Sequence, residues 1–147
     1  MEIDEKDVDE KDVDEKDVDE ANVDQRDVDA GARTALGRAG EEAALQVYLR
    51  NGFRLIARNW RCGLGELDLV VRRGRLLVFC EVKTRSTIAL GGGYEAVTWS
   101  KRRRLRRLAE AFVSQTPVRP AATRFDVASV HVSRGCAPDV EVYQDAF

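Results

Sequence analysis

The chain has 147 residues and a formal net charge of −2, a length that suits one modest domain. Cys62, Cys80 and Cys136 are odd in number and lack paired ligand spacing, so neither a disulfide framework nor a zinc site is expected, and a reducing, cytoplasmic setting follows. No run nears membrane-spanning length, and neither a Walker-type phosphate loop nor a dinucleotide fingerprint is present.

The near-neutral total conceals two opposed parts. Residues 1–30 repeat a five-residue unit, first Asp4-Glu5-Lys6-Asp7-Val8 and in decaying form as far as Val28. They hold 15 acidic and 4 basic side chains, a net of −11, which leaves 11 acidic and 20 basic side chains, a net of +9, for residues 31–147. A valine every fifth residue matches neither helical nor strand periodicity and offers too little apolar surface to offset ordering entropy. Residues 1–30 therefore read as a disordered acidic tail, and residues 31–147 as the domain. An acidic start with no apolar core segment is not a signal peptide.

Ala35 to Arg50 favours a helix, with Ala44, Leu45 and Tyr48 on one apolar stripe and Gly52 placed to end it. Glu41 shares that stripe and faces inward. Phe53 to Trp60 suggests a first strand. Gly65 to Val71 and Leu76 to Arg85 are short aliphatic runs split by Arg72-Arg73-Gly74-Arg75, the pattern of a hairpin. The second run is apolar on both faces until Glu81 and Lys83, as in a central, doubly covered strand.

The turn permits two registers. If Gly74-Arg75 is the two-residue loop, Asp68 lies opposite Glu81 and Glu66 opposite Lys83; if Arg73-Gly74 is the loop, Glu66 faces Glu81 and Asp68 faces Phe79. In both, Glu66, Asp68, Glu81 and Lys83 share one face. Like charges so gathered repel unless a cation or protons intervene. A hard divalent metal held by carboxylate oxygens satisfies them.

After a glycine-rich loop, Ser86 to Tyr94, a second helix is expected over Glu95 to Gln115, capped by Thr98 or Ser100. Its first turns carry Lys101, Arg102, Arg103, Arg104, Arg106 and Arg107. So dense a basic run favours a polyanion contact, with Lys101, Arg102, Arg103, Arg106 and Arg107 as the nucleic-acid-binding set. Trp99 beside it suits either stacking on a base or burial. Arg124 to Val132 reads as a strand and Val140 to Tyr143 as a final edge strand. His131, alternating with valines, reads as a packed or edge residue, which leaves nucleophilic triads without a histidine.

Asp68, then Glu81-Val82-Lys83, resembles the Asp…Glu-X-Lys core of the restriction-endonuclease-like superfamily. Within it, Gly40-Glu41, Arg58-Asn59-Trp60-Arg61, Gly65 to Val70, Phe79 to Arg85 and Arg124-Phe125-Asp126-Val127 are similar to the YraN-like family of small bacterial proteins. The resemblance spans about residues 35–147 and departs from the family only in the loop after Arg85, where an aromatic-Gly-X-Pro pattern is missing. It implies an α/β fold of helix, three-strand meander, helix and further strands, a mixed sheet flanked by helices. It also implies a Mg²⁺- or Mn²⁺-dependent endonuclease acting on DNA, with branched or structured DNA suggested by resolvase-like relatives. Asp68, Glu81, the Val82 carbonyl and Glu41 would hold the metal, Lys83 would serve the attacking water or the phosphate, and Asp68, Glu81 and Lys83 would form the catalytic set. Two other readings remain: a non-cutting nucleic-acid-binding module of the same fold, and an interaction protein whose acidic tail contacts the basic core or a basic partner.

Overall fold

The computed structural model describes residues 17–86 and 97–147, with side chains from Thr34 onward. The chain divides into two units, Met1–Arg33 and Thr34–Phe147. Helix α1 covers Asp17–Arg50. It thus starts well before the expected Ala35. No proline lies between Asp17 and Ala35, and each residue added to an existing helix costs little. Of the acidic tail expected to be disordered over residues 1–30, residues 1–16 lie outside the described residues.

The second unit builds a five-stranded sheet in the order β1 (Arg54–Cys62), β2 (Gly65–Arg73), β3 (Leu76–Ser86), β4 (Ala122–Val132) and β5 (Asp139–Tyr143). The meander β1–β2–β3 is antiparallel, β4 joins β3 in parallel, and β5 returns antiparallel, so the sheet is mixed as expected. A parallel neighbour cannot be reached by a tight turn. The crossover is α2, Trp99–Gln115, whose first turn is capped by Thr98 accepting from the Lys101 amide. The helix starts four residues later than the expected Glu95, because Thr98 is extended and caps it, while the expected glycine-rich loop lies largely outside the described residues.

Alternation along the strands feeds two cores. Leu69, Val71, Val78, Cys80, Ala128 and Val130 pack with Ala44, Leu45 and Tyr48 of α1. Val70, Leu77, Phe79 and Val127 pack with Leu105, Leu108, Ala109 and Phe112 of α2. Leu77 to Cys80 are buried on both faces, which makes β3 the doubly covered centre its sequence suggests. Between β2 and β3 the turn is Gly74-Arg75, flanked by the pair Arg73↔Leu76, and Gly74 supplies the positive φ of 59° at its first position. The first of the two registers therefore holds.

One polar group enters the core. Asp126 on β4 is fully buried, where it accepts from Tyr48 Oη (2.7 Å), from Arg124 Nε and Nη2 (2.8 Å each), and from the Asp145 amide (3.0 Å). Four donors from α1, β4 and the C-terminal segment satisfy a carboxylate that would otherwise be costly to bury.

Candidate active site at a fork in the sheet

Pairing between β2 and β3 runs from Arg73↔Leu76 to Leu69↔Cys80 and ends there. Past that point β2 stays with β1 as far as Cys62↔Gly65, and β3 stays with β4 as far as Ser86↔Val132. The sheet forks, with Asp68 and Glu81 as the first residues beyond the last pair. The Val82 amide, lacking a strand partner on this side, donates to Asp68 Oδ2 at 2.8 Å.

A backbone irregularity on β1 accompanies the fork. Asn59, which falls across from Asp68, has a φ of 50°, a left-handed conformation that Asn tolerates better than most residues. Alternation fails at the same level of β2: Leu67 packs in the α2 core and Leu69 in the α1 core, although they are two residues apart. The twist also aims the Asn59 side chain at α1, where Nδ2 donates to Glu41 Oε2 at 3.0 Å. Arg58 Nε reaches the same oxygen at 3.3 Å, while its other nitrogens bind Glu42 Oε2 (2.9 Å) and the Arg38 carbonyl (3.1 Å). Glu41 thus faces inward, as its place on the helical stripe requires. Gly40 explains the close approach of α1 to β3: a Cβ there would lie 1.8 Å from Thr84 Oγ1.

Two of the other carboxylates, Glu81 and Glu66, also meet a cation. Glu81 Oε1 accepts from Lys101 Nζ at 2.6 Å, and Glu66 Oε2 from Arg61 Nε at 3.0 Å. Glu66 therefore pairs across to β1, with the residue opposite it in the register, Arg61. Asp68 makes no ion pair among the described residues. Burial first, and then the charges of Glu81, Glu41 and Glu66, push its carboxyl up to about 7 against the opposing pull of the Val82 amide. Glu81, Glu41 and Glu66 are thus within electrostatic reach of Asp68, with Lys83 two positions beyond Glu81 on the same strand. In this arrangement no three His, Cys, Asp or Glu among the described residues are gathered tightly enough to hold an ion together. Glu41 is turned toward Arg58 and Asn59, and Glu81 toward Lys101.

The basic run of α2 is distributed among several tasks. Lys101 is on Glu81, and Arg102 Nε donates to the Val97 carbonyl at 2.8 Å. Arg103, Arg104, Arg106 and Arg107 are exposed. Of these, Arg103, Arg104 and Arg107 line one groove, and Arg106 lines another beside Phe79 and Phe125. The sequence motifs contain Arg58, Asn59 and Asp126 without revealing a task for them. For Asp126 the signal was an acid two residues from an arginine inside an apolar strand, which places both on one face.

A mixed sheet between two helices, with an acid on one hairpin strand and Glu-X-Lys on the next, defines a domain of the restriction-endonuclease-like class. Residues 40–130 match the model of the uncharacterised protein family UPF0102. The chain belongs to this family, the YraN-like family. Curated relatives, each called a UPF0102 protein, come from Mycolicibacterium vanbaalenii (47% identity over 74% of this chain and 90% of the relative) and a Parafrankia strain (47%, over 76% and 95%). A third comes from Frankia alni, at 50% identity over 67% of this chain and 82% of the relative. No described helix is long and apolar enough to cross a membrane.

Proposed function

We propose that the domain is a divalent-metal-dependent nuclease that hydrolyses phosphodiester bonds of DNA, with branched or structured DNA as the favoured form. The observation that carries this reading is the fork, where Asp68 and Glu81 stand beyond the last strand pair with the Val82 peptide between them, beside the first turn of a basic helix.

The available donors are all oxygen: the carboxylates of Asp68, Glu81 and Glu41 and the Val82 carbonyl. That set suits Mg²⁺ or Mn²⁺, and the mutual repulsion felt at Asp68 is of the kind a divalent cation relieves. Binding would require Glu81 to exchange Lys101 for the metal. When bound, such an ion supplies Lewis acidity toward phosphate and water. Lys83 would orient the attacking water or stabilise charge developing on the phosphate. Exposed arginines of α2 would hold the backbone of the substrate. Three free thiols suit a cytoplasmic setting.

The test is cleavage of linear, flapped and four-way DNA with added Mn²⁺, using wild type, Glu81→Gln and Lys83→Ala. Cleavage by wild type alone, with Mn²⁺ raising the Tm of wild type and Lys83→Ala but not of Glu81→Gln, is the expected result. Salt-sensitive binding with neither cleavage nor a Mn²⁺ effect on Tm would make the domain a non-cutting module. Binding of a basic protein through residues 1–30 alone, with no DNA binding, would favour an interaction protein.

A further inference from the structure

Trp99 is the first residue of α2 and is 73% exposed, the most exposed large apolar side chain among the described residues. Arg103, one turn on, holds its guanidinium 5.3 Å from the centre of the indole. Arg107 continues the same helical stripe at i+8. Together with Leu64, Ser100 and Arg104 these residues line a groove of about 490 Å³. Leu64 comes from the β1–β2 turn and is itself 40% exposed, so the groove has apolar surface on both sides. No carboxylate lines it among the described residues.

An exposed indole in a basic groove is poorly suited to a purely structural role. The second tryptophan, Trp60, shows the contrast: it packs edge-on against Phe112 at 5.3 Å in the α2 core. Trp99 makes its close ring contact with an arginine, and that pairing stiffens the ring and adds positive charge beside it. A flat aromatic surface flanked by arginines complements a ligand that is planar and apolar at one point and polyanionic around it. Nucleotides have that character, but bases inside a duplex cover one another's faces. Away from a duplex end, only an unpaired base can present a face to an indole.

We infer that Trp99, Leu64, Arg103, Arg104 and Arg107 form a platform for unpaired nucleotides, with a base stacked on Trp99 and the flanking phosphates on the arginines. This rests on the nucleic-acid reading of the domain, and it gives the substrate preference a physical source. A strand held by an unpaired base at the start of α2 is positioned at the same helical turn that places Lys101 on Glu81. Junctions, flaps and frayed ends would be chosen over intact duplex because they offer such a base.

The test uses the full chain in EDTA, so that binding is read without hydrolysis. A short oligothymidylate and a blunt duplex of equal length are titrated against wild type, Trp99→Ala and Arg103→Ala/Arg107→Ala, with circular dichroism confirming that each variant is folded. A Trp60→Phe variant leaves Trp99 as the single fluorescent reporter. Oligothymidylate should quench that reporter, and Trp99→Ala should weaken oligothymidylate binding about tenfold while leaving duplex binding unchanged. The arginine variant should weaken both. Equal loss for single strand and duplex on Trp99→Ala, or no loss for either, overturns the platform while leaving the nuclease reading standing. Failure of wild type to bind either ligand overturns both. Absence of cleavage in the separate metal assay retires hydrolysis without touching this inference.

Discussion

Lys101 Nζ donates to Glu81 Oε1 across 2.6 Å, tying the first turn of α2 to the forked end of β3. The pair is mostly shielded on the Glu81 side, whose side chain is 15% exposed, and more open at Lys101, at 32%. Lys101→Ala and Glu81→Gln should each lower stability by about 1 kcal/mol, the range of partly exposed pairs. The double variant should lose less than the sum, and a urea-denaturation cycle of all four proteins measures the difference. Strict additivity would mean that the contact contributes nothing in solution.

Asp68 sets a pH dependence. Its carboxyl is raised from 3.8 to about 7 in the folded chain, so between those values the folded state holds a proton that the unfolded state has released. Stability from this group is therefore full below about pH 4 and is lost as pH rises toward 7. In metal-free buffer the Tm should fall between pH 5 and pH 7.5, and Asp68→Asn should flatten that fall. Mn²⁺ should raise the Tm more at pH 7.5 than at pH 5, since the proton and the metal compete for one carboxylate. Melting curves at four or five pH values check both.

Gly40→Ala should destabilise the domain by about 1–3 kcal/mol, the usual cost of forcing a group into an occupied site. The added Cβ would meet Thr84 Oγ1 at 1.8 Å and Cγ2 at 2.7 Å, and Thr84 is a short β-branched residue within a paired strand. Adding Thr84→Ala should recover part of the loss. Denaturant midpoints of the three variants decide.

Replacing Arg103, Arg104 and Arg107 together by Ala should flatten the log–log salt dependence of DNA binding by about one unit for each phosphate that the variant no longer neutralises. Arg102→Ala should act differently. Its guanidinium is bound to the Val97 carbonyl ahead of the helix, so the expected change is in Tm and not in salt slope. Fluorescence-anisotropy titrations at several salt concentrations separate the two.

Asp126→Ala should cost about 3–5 kcal/mol, because it strands the Arg124 charge and removes the acceptor of Tyr48 and of the Asp145 amide at once. Urea denaturation with Tyr48→Phe as the milder control checks this.

Much of this frame was legible because it depends on period and on glycine. Gly74 marks the turn, and either two-residue loop around it gives the same expected faces for β2 and β3, but the register itself was settled by the pairing Arg73↔Leu76 and not by the sequence. The helical stripe turns Glu41 inward, and two apolar faces mark β3 as central. What sequence did not show depends on three dimensions at once. The basic run looked uniform, yet helix phase sends Lys101 to a carboxylate, Arg102 to a carbonyl and the remaining arginines to separate grooves. Glu66 and Lys83 are expected on one face, but alternation on β2 fails at Asp68 and pairing with β3 ends at Leu69↔Cys80, and Glu66 pairs with Arg61 instead. A left-handed residue inside a strand has no periodic signature.

The parallel seam between β3 and β4 fixes the order in which the acidic patch is assembled. β2 and β3 are neighbours in sequence and close through a two-residue turn, a step of roughly 1–10 μs for a hairpin. β4 reaches β3 only by way of α2, a distant closure of the kind that slows folding. Asp68 and Glu81 thus become neighbours once the hairpin closes, whereas Lys101 reaches Glu81 only with the crossover. During that interval the two carboxylates share their patch with whatever cations the surrounding solution supplies.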